Sequence, residues 1–192
     1  EVARRVWGGA PLFLAVFPVH AQTLPALVRA QLQAMPSRSG PACIICTYGG
    51  VSAGSALADA AQILKNKGFN VIAAAALPDR HSYDRADSRL TVPRRWTEDE
   101  LTAFLTQVVQ KASSGGGPVR LPRRLFPGKY LPQRLLAVLG TGYPAADPAR
   151  CTGCGACQKS CPTGAALGNK KSCIRCAACV DACPARARVL RF

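Results

Sequence analysis

The chain has 192 residues, of which 48% are apolar, and a formal net charge of +15. That length allows one medium domain or two small ones, and the apolar share is enough for a packed core. No apolar run reaches the ~18 residues of a membrane span. The charge invites a nucleic-acid reading, but aromatics are only 6% and no nucleic-acid-binding motif accompanies the basic residues, so no nucleic-acid partner is expected.

The first apolar run, "PLFLAVFPVH" at 11–20, is short and broken by Pro18. It reads as a strand. Arg4-Arg5 ahead of it, with Val19-His20-Ala21 behind, imitates an export signal with a small-residue cleavage site. "TLPALVRAQLQAM" (23–35) puts Leu24, Leu27, Val28, Leu32 and Met35 on one helical face, with Thr23 as N-cap and Pro25 in the first turn. "PACIICTYGG" (41–50) is a second strand closed by glycines. Cys43 and Cys46 within it look like a redox pair, but residues three apart on a strand point to opposite faces, so they read as core thiols. "SAGSALADAAQILKNKG" (52–68) is a helix stopped by Gly68, and "NVIAAAALP" (70–78) is a third apolar strand. "TEDELTAFLTQVVQKA" (97–112) opens with a capping box, Thr97 and Glu100, ahead of Leu101, Phe104, Leu105, Val108 and Val109 on one face. Apolar strands alternating with amphipathic helices predict an α/β open parallel sheet over residues 1–112, covered on both faces. Residues 113–144 begin "SSGGGP", hold five Lys/Arg and no acid, and read as a basic Pro/Gly linker with one short helix near Pro132–Leu139. Arg94, Arg95, Arg120, Arg123 and Arg124 are expected at the surface.

Ten cysteines are many, and eight fall in the last 42 residues. The stretch 145–192 is therefore organised by sulfur more than by a large apolar core. "CTGCGACQKSCP" (151–162) recurs 22 residues later as "CIRCAACVDACP" (173–184), with four Cys, one Ala and the final Pro in common. Thiolate is the soft ligand that iron–sulfur clusters and zinc both take. Zinc sites use two separated Cys pairs and often His, whereas each run here is four cysteines closed by Cys-Pro. Disulfides are the other alternative. The spacing Cys-x2-Cys-x2-Cys-x3-Cys-Pro resembles that of bacterial two-cluster ferredoxins. This resemblance implies a small α+β ferredoxin-like domain with two [4Fe–4S] clusters. One would sit on Cys151, Cys154, Cys157 and Cys183, the other on Cys173, Cys176, Cys179 and Cys161. Small residues such as Gly153, Gly155, Ala156, Ala177 and Ala178 would let backbone N–H groups reach the sulfurs. The cations Arg150, Lys159, Lys170, Lys171, Arg175, Arg186 and Arg188 would favour an added electron, so potentials above the ~ −400 mV of low-potential ferredoxins are expected.

Two strand ends carry a second resemblance. "FPVHAQTLP" (17–25) and "TYGGVSAG" (47–54) resemble the flavin-flanking loops of the flavodoxin fold, and "LPDRHSY" (77–83) follows the next strand. With the cysteine repeat, the whole chain resembles a flavodoxin-fold/two-cluster ferredoxin fusion protein of bacteria and archaea. That family begins with a strand, a phosphate loop like S-x-T-G-N-S, a helix and a second strand. None of these lies before residue 11. The resemblance thus implies an incomplete flavodoxin-like sheet that begins near the family's third strand and leaves residues 12–19 as an open apolar edge. It implies FMN only in the intact protein, with Thr47, Tyr48, Gly49 and Gly50 against the polar edge of the ring and Pro18, Val19, His20 and Ala21 on its other side.

No residue makes a general base or nucleophile, so the expectation is a redox carrier or oxidoreductase component without catalytic side chains of its own. Its partners would be redox proteins, its compartment the cytoplasm, with export through the twin-arginine-like N-terminus as the alternative. Two rival functions are a docking lobe that presents a ferredoxin without binding flavin, and a nucleic-acid-binding iron–sulfur protein.

Overall fold

The computed structural model describes residues 4–7, 10–50, 52–82, 94–122, 135 and 142–191. It divides into two compact units, Glu1–Arg80 with Val92–Tyr130 and His81–Thr91 with Leu131–Phe192.

In the first unit the chain runs β1 (Arg4–Trp7), β2 (Ala10–Pro18), α1 (Ala26–Ala34), β3 (Gly40–Tyr48), α2 (Ala56–Asn66), β4 (Phe69–Pro78) and α3 (Glu98–Ser113). The sheet order is β1-β2-β3-β4, with β2, β3 and β4 mutually parallel. A right-handed strand–helix–strand run gives neighbouring parallel strands in this way. The central strand β3 is buried over Ala42–Cys46 on both faces. One face carries Ala15, Phe17, Ile44 and Cys46 against Leu32 of α1 and Ala60, Ile63 and Leu64 of α2. The other carries Leu12, Cys43, Ile45 and Ile72 against Val108 of α3. The expected two-sided α/β layer is what forms, and Cys43 and Cys46 do lie in opposite layers. The capping box also forms: Glu100 N donates to Thr97 Oγ1 at 3.2 Å and Thr97 N donates to Glu100 Oε2 at 2.8 Å. Trp96 then packs edge-on against Phe104, 5.7 Å between ring centroids.

The structure corrects two expectations. Residues 12–19 are not an open edge, because β1 pairs antiparallel with β2, Arg4 opposite Phe13 and Trp7 opposite Ala10. Strand pairing satisfies backbone groups that an apolar edge would leave bare. Thr23 does not cap α1. Its hydroxyl donates back to His20 O at 3.0 Å, closing a tight loop in which Ala21 and Gln22 take φ of 48° and 58°, and the helix starts behind Pro25. The linker residues enter both units. Val119 N donates to Val71 O at 2.8 Å and Asn70 Nδ2 to Gly116 O at 3.0 Å, while Tyr143 already belongs to a strand. The helix expected near Pro132–Leu139 lies outside the described residues, apart from Leu135.

The second unit pairs β5 (Tyr143–Ala146) with β6 (Arg188–Arg191) in antiparallel register, Tyr143 opposite Arg191 and Ala146 opposite Arg188. Between them lie α4 (Ala156–Lys159) and α5 (Ala178–Asp181), with short 3₁₀ turns at Ala165–Leu167 and Lys170–Ser172. Among the described residues its buried apolar side chains are small: Pro144, Ala165, Ala166, Ala177, Cys179 and Ala187. Among the described residues, the large side chains that are fully buried, Leu24, Leu32, Ile44, Leu64 and Ile72, all belong to the first unit.

Burial pushes the Cys43 and Cys46 thiols up to about 12 from 9.0. Between those values the unfolded chain has released protons that the folded chain still holds, so stability falls as pH rises through this window. Urea unfolding followed by fluorescence of Trp7 and Trp96 should show a midpoint that drops from pH 9 to 11. Cys46→Ala should flatten part of that drop; an unchanged slope would contradict the burial of this thiol.

Candidate metal centre

The cysteine repeat is also a repeat of backbone. Gln158 N donates to Gly155 O and, 22 residues on, Val180 N donates to Ala177 O; Cys161 N donates to Gln158 O as Cys183 N does to Val180 O. The left-handed positions recur in the same register. Gly153, Gly155 and Gly164 have φ of 72°, 72° and 66°, and their counterparts Arg175, Ala177 and Arg186 have φ of 57°, 60° and 50°. The loop shape, more than side-chain size, is why small residues precede α4. In the second half that shape is kept by residues with a Cβ, at a cost of about 1–2 kcal/mol each.

The loops gather the eight cysteines into two hollows. Cys151, Cys154, Cys157 and Cys183 line one. Cys161, Cys173, Cys176 and Cys179 line the other. Each takes three thiols from one run and the fourth from the other. The first leaves about 130 Å³ reachable by water and the second about 20 Å³, against the ~10–15 Å³ that a single water needs. No histidine or carboxylate lines either hollow among the described residues. Among the described residues no three His, Cys, Asp or Glu side chains lie placed to share a single metal ion.

Backbone donors point at the sulfurs. Arg175 N lies 3.4 Å from Cys173 Sγ and Ala187 N 3.2 Å from Cys183 Sγ. The amides of Arg188, Ala187 and Ala185 hold the Cys183 thiol below its ordinary value against a smaller effect of burial. Burial raises Cys161, yet the amides of Thr163, Ala166 and Ala165 and the Thr163 hydroxyl outweigh it and the net direction is down. The fourth cysteine of each run thus favours thiolate. Burial pushes Cys176 and Cys179 up, and neighbouring thiolates push the same way. Burial and crowding of this kind disfavour the thiolate, and a bound metal would offset both effects. An all-sulfur donor set around a hollow, with N–H groups aimed at the sulfurs, fits an iron–sulfur cluster.

The family model described as "4Fe-4S dicluster domain" matches residues 110–165, and the one described as "4Fe-4S binding domain" matches residues 170–186. The C-terminal region carries 4Fe–4S ferredoxin-type domains. The first match contains Cys151, Cys154, Cys157 and Cys161, the second Cys173, Cys176, Cys179 and Cys183. Together they support an iron–sulfur electron-transfer protein. No curated protein and no solved structure matches the chain.

Sequence reasoning counted Arg188 among seven cations expected to favour an added electron, without setting it apart from the others. In the ferredoxin-type unit it is half-buried, and its guanidinium lies 3.7 Å from Cys157 Sγ. Tyr143, which composition did not single out, lines the second hollow beneath Lys170 and Arg175, 5.3 and 5.9 Å from its ring centroid. In the first unit, β2 and β3 pair as far as Pro18 opposite Thr47, and Val19 N donates to Thr47 O at 2.8 Å. Pro18, Val19, His20 and Ala21 therefore leave the sheet beside Thr47, Tyr48, Gly49 and Gly50. The two loops are tied further along, where Ser55 N donates to Gln22 O at 3.0 Å and a Cβ on Gly54 would sit 1.9 Å from that oxygen. His20 is held below its ordinary value by burial.

A Cβ on Gly155 meets nothing within 4 Å, and Ala177 already occupies the matching position. Gly155→Ala should keep full iron and sulfide content. Its only cost is the left-handed conformation, about 1–2 kcal/mol of unfolding free energy. Loss of iron from this variant would mean that the two loops are not equivalent.

Proposed function

We propose that this chain is a one-electron carrier whose C-terminal unit holds two [4Fe–4S] clusters, one on Cys151, Cys154, Cys157 and Cys183 and the other on Cys161, Cys173, Cys176 and Cys179. The observation that carries this reading is the exchange of the fourth cysteine, since each hollow draws three thiols from one run and one from its repeat. Bound there, such clusters supply storage of single electrons without proton transfer. The chain supplies the thiolates, the amide donors on Cys173 and Cys183, and a basic surroundings that favours added negative charge. Exposed Lys159, Lys170 and Lys171 suit a redox partner with an acidic face. The polypeptide divides by role into a lobe over 1–112, a basic connector over 113–144 and the cluster domain over 145–192.

The finer reading adds FMN to the first lobe in the intact protein. The parallel ends of β2 and β3 support it, because open α/β sheets bind ligands at the carboxyl ends of their strands. Pro18, Val19, His20, Ala21, Thr47, Tyr48, Gly49 and Gly50 would contact the ring, and a flavin there would let two-electron donors feed single-electron carriers. A docking lobe without flavin is the second reading. It is favoured by β1, which takes the sheet edge beside β2 where the resembling family places its central strand.

The test is anaerobic purification of the 192-residue chain, alone and with any upstream residues of its gene, followed by iron, sulfide, zinc and flavin analysis. About eight iron and eight sulfide per chain, with FMN appearing only in the longer form, is the expected result. Zinc in place of iron would overturn electron transfer. Iron without flavin in both forms would leave the docking reading.

A further inference from the structure

We infer that Arg188 is a positioning residue that sets the electron affinity of both cluster sites from between them, an inference that rests on the cluster reading above. Among the described residues Arg188 is the one that lines both hollows. Its place on β6, opposite Ala146, carries the side chain inward between the two halves of the repeat. The guanidinium donates to Ala166 O, to Pro144 O at 3.5 Å and toward Cys157 Sγ at 3.7 Å. Ala166 and Pro144 line the hollow of Cys161, Cys173, Cys176 and Cys179, whereas Cys157 lines the other. The planar fork is thus fixed by carbonyls on one side and reaches a sulfur on the other.

Arg188 is half-buried, and among the described residues no carboxylate pairs with it. A guanidinium stays charged at any accessible pH. A charge removed from water without a counter-charge is costly. The negative groups placed to compensate this one are the ligand thiolates of the two sites. When an external one-electron carrier reduces either site, one negative charge is added beside the guanidinium. No bond forms or breaks and no proton is required. The attraction to Arg188 therefore strengthens on reduction, which favours the reduced form, and hydrogen bonds to sulfur act in the same direction. Lys170 and Lys171 are exposed and line neither hollow, so their fields are screened by water.

The experiment compares wild type with Arg188→Gln, Arg188→Lys and Lys171→Gln, all purified anaerobically. Iron and sulfide are counted first, and midpoint potentials are then read by electron paramagnetic resonance during dithionite titration. In Arg188→Gln both centres should become harder to reduce, with the reduced-to-oxidised ratio at a given poise falling roughly tenfold, ~59 mV for a one-electron couple. Arg188→Lys should shift both the same way by less, and Lys171→Gln should stay near wild type. Iron-replete Arg188→Gln with unchanged potentials overturns the inference, as does a Lys171→Gln shift of equal size. If Arg188→Gln does not load iron, Arg188→Lys decides: a negative shift of both centres supports the inference and wild-type potentials overturn it. Wild-type protein that holds zinc or no metal refutes the cluster reading itself, a failure visible before any potential is measured.

Discussion

The second unit depends on the crossing of its fourth cysteines. Cys161 follows the first run in sequence but lines the hollow of the second, and Cys183 does the reverse. Each hollow thereby draws on both halves of the repeat. Alanines, one proline and one cysteine cannot supply what Leu32, Ile44 and Leu64 supply in the first unit, since burial of a methyl group is worth far less than burial of a full aliphatic side chain. A domain this small, with so little apolar burial among its described residues, calls for covalent or coordinate links to fold. The same thiols that would hold the cofactor would therefore hold the fold, and metal binding and folding become one equilibrium.

The first unit rests on a different economy. Its strands are apolar on both faces and its helices cover both, so its stability comes from area and close packing. Cys43 and Cys46 show the contrast. They have a spacing seen again between Cys151 and Cys154, yet on a strand that spacing sends them into opposite layers, while in a left-handed loop it turns both thiols to one hollow. Backbone conformation, not the interval between cysteines, decides which thiols can share a centre.

Much of this was legible in the sequence because it obeys short-range rules. Apart from β1, which no pattern indicated, the strands and helices of the first unit lie within a few residues of the positions that apolar period indicated, and Thr97 with Glu100 formed the box their spacing called for. The expectation that the eight cysteines sort into two sets came from a resemblance and not from spacing alone, because a fourth thiol lent across the repeat has no local signature. The long-range features were hidden for the same reason. Pairing of β1 with β2 depends on tertiary contact, and the role of Thr23 depends on the left-handed turn at Ala21 and Gln22, which β-carbon sterics disfavour and no local pattern announces. Arg188 looked like one basic residue among many until β6 carried it inward.

The two halves of the repeat share a backbone and differ in charge. Where the first half has Gly153 and Gly164 in left-handed turns, the second has Arg175 and Arg186 in the same turns. Those arginines accept a conformational strain that glycine avoids. In return the second loop carries cations at positions the first leaves bare, one of them over the Tyr143 ring. The sites differ in solvent as well: Cys151 and Cys154 are exposed, whereas Cys179 is buried. Exposure and local charge are two of the levers that set the potential of an iron–sulfur centre. The two hollows are thus alike in backbone and unlike in exposure and local charge, so clusters held in them would meet different surroundings.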